Sequence, residues 1–509
     1  MTVRLLCGIV VVLGLFSAQG LYAQDTASLT GTVNDSSGAV VPGAQVAVTN
    51  PEHGISRTTV TNSDGEYSVP ALPAPSSYNV TVTAEGFKKY VAKGVVLDVA
   101  RKARVDATLQ VGAAGTEVTV EGTNVAQVET QSSDLAGTVT GKQISQLELN
   151  GRNYTQLLAL TPGATNQSGQ DEPGTGLSTV AYSVNGGRTE YNNWEVDGGN
   201  NMDDGSNTTL MTFPSLDAIA EVRVLTSNYG AQYGRNSSGT VEVETKSGTR
   251  AFHGDAYEYL RNDAFNARNY FLPSVSPYKK NDWGYTIGGP VFIPGHYNGD
   301  RNKTFFFFSE EWRHDRVTQS FNVPVPSCPE RGLQTGPGGV GCTGTQGLSA
   351  DFSELCPGSA SGPGPDCPVN PLTKLPFGNP LYPGSGPPSN PVLVPIDPHA
   401  VPLLAMFPYP TGGVPGNWSY IAAAPNPDNF REELFRIDHN INSKLHASVR
   451  YIHDSWTAVS PVPLWTGNGS FTQNYPTIQD SYGQPATSVV ARLTAVSYTH
   501  LTLPTILRV

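Results

Sequence analysis

Apolar residues in this chain recur mostly at every second position, the spacing of strands buried on one face. Between residues 28 and 111 the runs LTGTVND, AQVAVTN, TTVTN, YSVP, YNVTVTA and ARVDATLQV are separated by SSG, NSDG and AEG turn signals. Val46 and Val48, like Val80 and Val82, alternate with small polar residues. The pattern predicts a seven-strand β-sandwich. A GAAG stretch follows, then the short β-prone segment Glu117, Val118, Thr119, Val120, Glu121. That segment reads equally as a last strand of the sandwich or as an extended linker.

Residues 125–248 read as α/β. Ile144 and Leu147 stand at helical spacing behind Thr140, a capping residue. A second short helix over 153–160 is stopped by Thr161-Pro162-Gly163. A helical turn is expected from Pro214, and strands over 221–226 and 240–246, where Val222, Val224, Val241 and Val243 alternate. From residue 249 to 495 the pattern is hairpin-like and rich in aromatic residues. Trp283, Tyr285 and Ile287 share one face and Gly284, Thr286 and Gly288 the other, the apolar-out dyad of a membrane barrel. The Phe305–Phe308 run hides that dyad. Leu445, Ala447, Val449 and Tyr451 alternate with His446, Ser448 and Arg450, giving a hairpin with one wet face. Residues 321–427, rich in Pro, Gly and Ser, read as one long external loop.

Composition narrows the class. The chain has 509 residues, only 15% of them charged, with 54 Gly and 40 Pro, which suits β-structure with long loops. A net charge of −12 argues against tracking nucleic-acid phosphates. Residues 1–23 have the form of a secretory signal peptide. Arg4 precedes an apolar run over 5–16, and small residues offer cleavage after Gly20 or Ala23. Cys7 stands at the start of that run, not at its end, so lipoprotein acylation is not expected. No later apolar run is long enough for a spanning helix; any membrane insertion must use strands. Cys328, Cys342, Cys356 and Cys367 lie in the loop of an exported chain and suggest disulfides, with three connectivities open.

No catalytic constellation, cofactor motif or metal site emerges, and no enzyme is expected. The four loop cysteines are too widely spaced for zinc. His439, His446 and His453 recur at equal steps, but an odd separation puts strand residues on opposite faces. The acidic segment 197–207 lacks the closing Glu of a calcium loop and reads as Asx and Gly turns. Glu310 and Glu311 are adjacent on a strand, point apart and cannot share acid–base work.

Three stretches resemble known families. TGTVND, GAVVPGAQVAV, TNSDGEYSVPALP and YNVTVTAEGF, within 28–111, resemble the carboxypeptidase regulatory-like domain, a binding module without peptidase machinery. Residues 125–248 resemble the plug of TonB-dependent receptors through Trp194-Glu195-Val196-Asp197-Gly198, Ile219, Glu221, Val222, Val224, Tyr229-Gly230, Tyr233-Gly234, Gly239, Val241, Val243, Thr245-Lys246 and Gly248. FRIDHNINSKLHASVRYIHD resembles a barrel hairpin of the Oar-like (OmpA-related) branch of those receptors. The resemblance implies a multidomain, mainly β protein of the cell outer membrane: an N-terminal sandwich, an α/β plug and an incomplete antiparallel transmembrane barrel. It implies energised uptake of an unidentified extracellular ligand, with outer-membrane lipid and the TonB inner-membrane complex as partners. Within the linker 112–124, Glu117, Val118, Thr119, Val120 and Glu121 would be the TonB box. A surface-adhesion or secretion-linked barrel, or a secreted β-protein, are the alternatives. Barrels of this type use about 22 strands of about 10 residues each. The residues after 248 supply far fewer, so a C-terminally truncated fragment, inactive alone and ending as an open sheet around the plug, is expected. Residues 496–509 read as a non-native tail.

Overall fold

The computed structural model describes residues 26–495 apart from internal stretches, the longest being 122–130, 168–180, 356–366, 375–392 and 463–474. The expected signal peptide and the tail 496–509 lie outside the described residues. Among those described, no helix is long and apolar enough to cross a membrane.

The first domain has nine strands where seven were expected: β1 (Thr26–Asp35), β2 (Gln45–Asn50), β3 (Ile55–Val60), β4 (Glu66–Pro73), β5 (Ser76–Thr83), β6 (Lys89–Leu97), β7 (Lys102–Arg104), β8 (Ala107–Leu109) and β9 (Glu117–Glu121). The excess has two causes. The two ends of long β1 pair in parallel with separate short strands, β7 and β8. The segment Glu117–Glu121 joins the second sheet, whose order is β3-β2-β5-β6-β9. Val46, Val48, Val80 and Val82 are fully buried between the sheets, as their alternation required.

The middle domain is a mixed sheet with short helices. Its strands are β10 (Leu135–Thr140), β11 (Ala164–Asn166), β12 (Tyr182–Val184), β13 (Asn193–Val196), β14 (Gly199–Asn200), β15 (Ile219–Ser227) and β16 (Thr240–Thr245), with the main order β10-β15-β16-β13-β14. Thr140 and Gln143 form a reciprocal capping box on the helix Gly141–Gln146. Ile144 is buried there, but Leu147 lies past the helix end and is exposed. The stretch after Asn153 is a 3₁₀ helix, Tyr154–Leu160. All six residues of β16 are buried, so its alternation does not separate core from solvent. Val241 and Val243 enter the domain's own core, while Glu242 and Glu244 also lie under protein.

A third sheet forms a wall against this domain. It contains β17 (His253–Asn262), β18 (Tyr278–Pro290) and β19 (Thr304–Pro324). After the small loop strands β20 (Gln334–Thr335), β21 (Cys342–Thr343), β22 (Ser349–Asp351), β23 (Leu393–Pro395) and β24 (Gly412–Val414) come β25 (Asn417–Asn442), β26 (Leu445–Ser460) and β27 (Asp480–Ala495). The wall runs β17-β18-β19-β25-β26-β27, antiparallel throughout, and does not close on itself among the described residues. Trp283, Tyr285 and Ile287 are exposed on its convex face, as are Val449 and Tyr451. Phe305 and Phe307 point inward and are buried; Phe306 and Phe308 point outward. The "wet" face of the Leu445 hairpin is not wet: Ser448 and Arg450 are buried under the middle domain. The external loop is shorter than 321–427, because β19 and β25 stay paired up to Pro324↔Ser419. Phe321 and Val323 of that extension are buried with Val462 against Ala424 and Tyr475, so a small apolar cluster as well as the backbone ladder extends the hairpin. Cys328 and Cys342 form a disulfide, and Cys367 is bonded in another.

The wall ends differ. Residues 443–444 alone join β25 to β26, whereas 325–416 follow β19 and 461–479 follow β26; the connections after β17 (263–277) and β18 (291–303) are similar in length. In outer-membrane barrels short turns are periplasmic and long loops extracellular. The sandwich sits at the short-turn end. Arg57 there donates to the Ser443 carbonyl, and Asn440 Nδ2 donates to the carbonyls of His53 and Asn302, both at 2.9 Å.

Candidate functional site

The first candidate site is the seam between middle domain and wall. The Asp-Gly pair after β13 takes positive φ at both residues (48° and 72°), which a tight hairpin demands. That turn places Asp197 at the end of the strand, buried. Its Oδ1 accepts the Thr245 N–H at 2.8 Å. Two wall arginines converge on it: Arg436 Nη1 at 3.1 Å from β25 and Arg450 Nε at 2.9 Å from β26. The second is an ion pair whose N–H is not aimed at the carboxylate, since Arg450 Nε makes no aligned hydrogen bond. Arg436 also donates to Glu244 Oε1 and the Thr245 carbonyl, each at 2.8 Å, and pairs with Asp438 at 3.1 Å. Arg450 Nη2 donates to the Val196 carbonyl at 2.8 Å. Burial alone would push the Asp197 carboxyl up. The Arg436 and Arg450 guanidinia outweigh it and hold the group below the usual carboxylate range.

Farther from the short-turn end the contact is aromatic. Phe213 packs at 4.9 Å from the Tyr154 ring, 6.5 Å from Phe430 and 6.4 Å from Trp456 of the wall. Its N–H donates to Asp454. One continuous core holds Tyr154, Trp194, Phe213, Val222 and Val241 together with Phe307, Phe430, Leu434 and Ile452 from the wall. The middle domain therefore finishes its core on the wall. Beside it Glu311, Glu432 and Asp454 stand opposite one another on β19, β25 and β26. Arg313 Nε donates to Glu311 Oε1 at 2.6 Å, and the Tyr257 hydroxyl donates to Glu311 Oε2 at 2.8 Å.

The sandwich meets the middle domain where His53 Nε2 lies 3.1 Å from Ser247 Oγ, and it is clamped to β15 at the Val99 peptide. Val99 N–H donates to Glu221 Oε1 at 3.0 Å, and Arg223 donates to the Val99 carbonyl. Burial, then the nearby Asp98 carboxylate, push the Glu221 carboxyl up to about 8. Arg223, Arg101 and the Val99 N–H oppose that shift. A carboxyl raised on docking binds its proton more tightly in the docked state. The clamp is then strongest below the ordinary carboxylate range and weakens as pH rises through about 8. Glu221→Gln should flatten this dependence. The thermal midpoint of the sandwich–middle-domain unit at pH 6 and pH 9 measures it, and an equal drop in both proteins would refute the assignment.

The second candidate site is β9. Glu117, Thr119 and Glu121 are exposed; Val118 and Val120 are half-buried. The structure thus realises the sandwich-strand alternative for this segment. The three histidines go to separate partners: His439 to Thr304, His446 to Asn440 and Asp438, His453 to Thr487. In the 197–207 segment Asp203 accepts the N–H groups of Gly205, Ser206, Asn207, Thr208 and Thr209, an Asx nest. Sequence reasoning missed Arg436 and Arg450. Their only signal was a cation on the supposed wet face of each strand, facing the acidic DG turn.

Comparison with known proteins agrees with this geometry. Residues 244–508 match the family model for an outer membrane beta barrel domain, 28–110 that for a carboxypeptidase regulatory-like domain, and 112–241 that for a TonB-dependent receptor plug domain. The TonB-dependent transporter Oar of Myxococcus xanthus is 26% identical over 341 residues, covering 62% of this chain and 29% of that protein. Among solved structures, the outer membrane transporter YddB of Escherichia coli aligns with a TM-score of 0.39 at 10% identity, over 72% of this chain and 37% of that one. The ferric enterobactin receptor PfeA of Pseudomonas aeruginosa gives 0.34 at 10% identity, over 68% and 36%. The chain spans less than a third of Oar and little more than a third of either solved structure.

Proposed function

Because the chain belongs to the TonB-dependent receptors, with the outer-membrane β-barrel domain of that family, we propose that it serves energised uptake of an extracellular ligand across the outer membrane. The observation that carries this reading is the seam. A separately wound plug rests on the inner face of a membrane wall, held by a shared core and by two arginines on one aspartate. Such a contact holds at rest and can be undone by force without unfolding the wall. The extracellular end supports ligand capture. There Arg331 is buried and donates to the carbonyls of Pro326, Leu404, Phe407 and Pro408 at 2.6–3.0 Å, fixing the loop that exposes Leu403, Met406 and Tyr409.

In this reading Glu117, Val118, Thr119, Val120 and Glu121 form the TonB box. The inner-membrane complex grips it by strand addition, which needs backbone N–H groups. Thr119→Pro with Glu121→Pro removes two that face away from β6. Capture of the full-length receptor by the purified periplasmic domain of TonB should fall by at least about tenfold, with membrane insertion unchanged. Undiminished capture would move the box elsewhere. A surface-adhesion or secretion-linked barrel would need no energised partner, so uptake that persists after the inner-membrane complex is deleted would favour that reading.

A further inference from the structure

Strand β9 pairs along its whole length with the first five residues of β6. In parallel register Lys89 faces Glu117, Tyr90 faces Val118, Val91 faces Thr119, Ala92 faces Val120 and Lys93 faces Glu121. Lys89 Nζ lies 3.1 Å from Glu117 Oε2, and the Lys89 N–H donates to the Thr116 carbonyl at 3.0 Å. Val120 packs on the sandwich core. A lysine opposite a glutamate at each end, an apolar anchor between them and a backbone ladder seat β9 on β6. Among the described residues β9 pairs with β6 alone, and it ends the sheet order. Its other edge offers backbone groups to an incoming strand, the usual template for strand addition.

We infer that this segment is recognised where it lies. An extended stretch of the energising partner, bearing Lys or Arg at two positions four residues apart, adds to the free edge of β9 while β9 stays on β6. The inference rests on the reading of Glu117–Glu121 as the TonB box and adds the state in which that box is bound. Cross-strand pairs act between direct neighbours on one face, so Glu117 and Glu121 select on their open side the cation spacing that Lys89 and Lys93 supply on the other. Addition breaks nothing, whereas release would first break the ladder and withdraw Val120. One consequence is mechanical. β6 ends at Leu97 and leads directly into Val99, the peptide clamped by Glu221 and Arg223 of β15. A pull on seated β9 is carried through β6 to an inner strand of the plug sheet, so the sandwich is a lever rather than a passive appendage.

The test uses the full-length receptor in outer-membrane extracts, with Val91→Cys and Thr119→Cys placed opposite each other to tie β9 to β6 on oxidation. The probe is the purified periplasmic domain of TonB. Oxidised and reduced forms of this one variant should be captured equally, within about twofold. Loss of capture on oxidation, restored by reductant, would show that β9 must leave the sandwich and would overturn the inference. In the oxidised background, Glu117→Lys with Glu121→Lys should lower capture by about tenfold or more; no change would overturn the basic character assigned to the partner strand. The proline pair described above separates the two levels: if it leaves capture intact, the box itself is misplaced, whatever the cross-link shows.

Discussion

Replacing Arg436 with alanine is expected to loosen the plug more than any other single wall substitution. The guanidinium is the shared partner of Asp197, Glu244 and Asp438, and all four groups are buried. Removing it leaves three carboxylates facing one another without their main counter-charge. Breaking a buried pair in this way costs about 3–5 kcal/mol. Much of that is the penalty of the stranded acids, so it should appear as faster opening of β16, which carries Glu244 and donates the Thr245 N–H to Asp197. Hydrogen exchange of the Thr240–Thr245 amides should accelerate by about a hundredfold or more. Arg436→Lys should restore little, because one ammonium cannot hold the fork that spans Asp197, Glu244 and the Thr245 carbonyl. Asp197→Asn added to Arg436→Ala should recover part of the loss by removing one uncompensated charge. Unchanged exchange in Arg436→Ala would mean that the seam is held by apolar contact alone.

Phe213→Ala is the second large effect. The ring is buried where plug and wall meet, touching Tyr154 on one side and Phe430 and Trp456 on the other. Arg313 lies over it at 5.5 Å. Truncating such a residue costs about 3–5 kcal/mol, the lost burial plus the cavity left behind. The wall strands keep their own ladder, so the loss falls on the plug. Protease cleavage between β14 and β15 should quicken while cleavage of the wall does not. Phe265→Ala is the control: that side chain is 86% exposed and should be silent. A variant at Phe213 that resists protease as the parent does would show that the shared core contributes little to seating.

Local pattern, read along the chain, was enough for three kinds of feature. Val46, Val48, Val80 and Val82 announced a sandwich because strand side chains alternate. Asp197-Gly198 announced a hairpin turn because few other pairs take positive φ twice. Trp283, Tyr285 and Ile287 announced an outward apolar face because they recur at every second position. None of these depends on what the strand meets in space.

What the strand meets was decided only by tertiary structure. Arg436, Arg450 and Ser448 look like a solvent face, because polar residues at alternate positions are the same whether water or a charged plug lies beyond them. Val241 and Val243 look like one buried face, although Glu242 and Glu244 are buried on the other, Glu244 against Arg436 of the wall. β9 looked like linker or strand in equal measure, since five residues cannot specify a partner; Lys89 and Lys93 of β6, nearly thirty positions earlier, supplied the match. Sequence by itself determined which residues become strands and which of their faces are apolar. The docking of sandwich, plug and wall determined which polar faces are dry, because ion pairs and strand edges are satisfied by groups that lie far away along the chain.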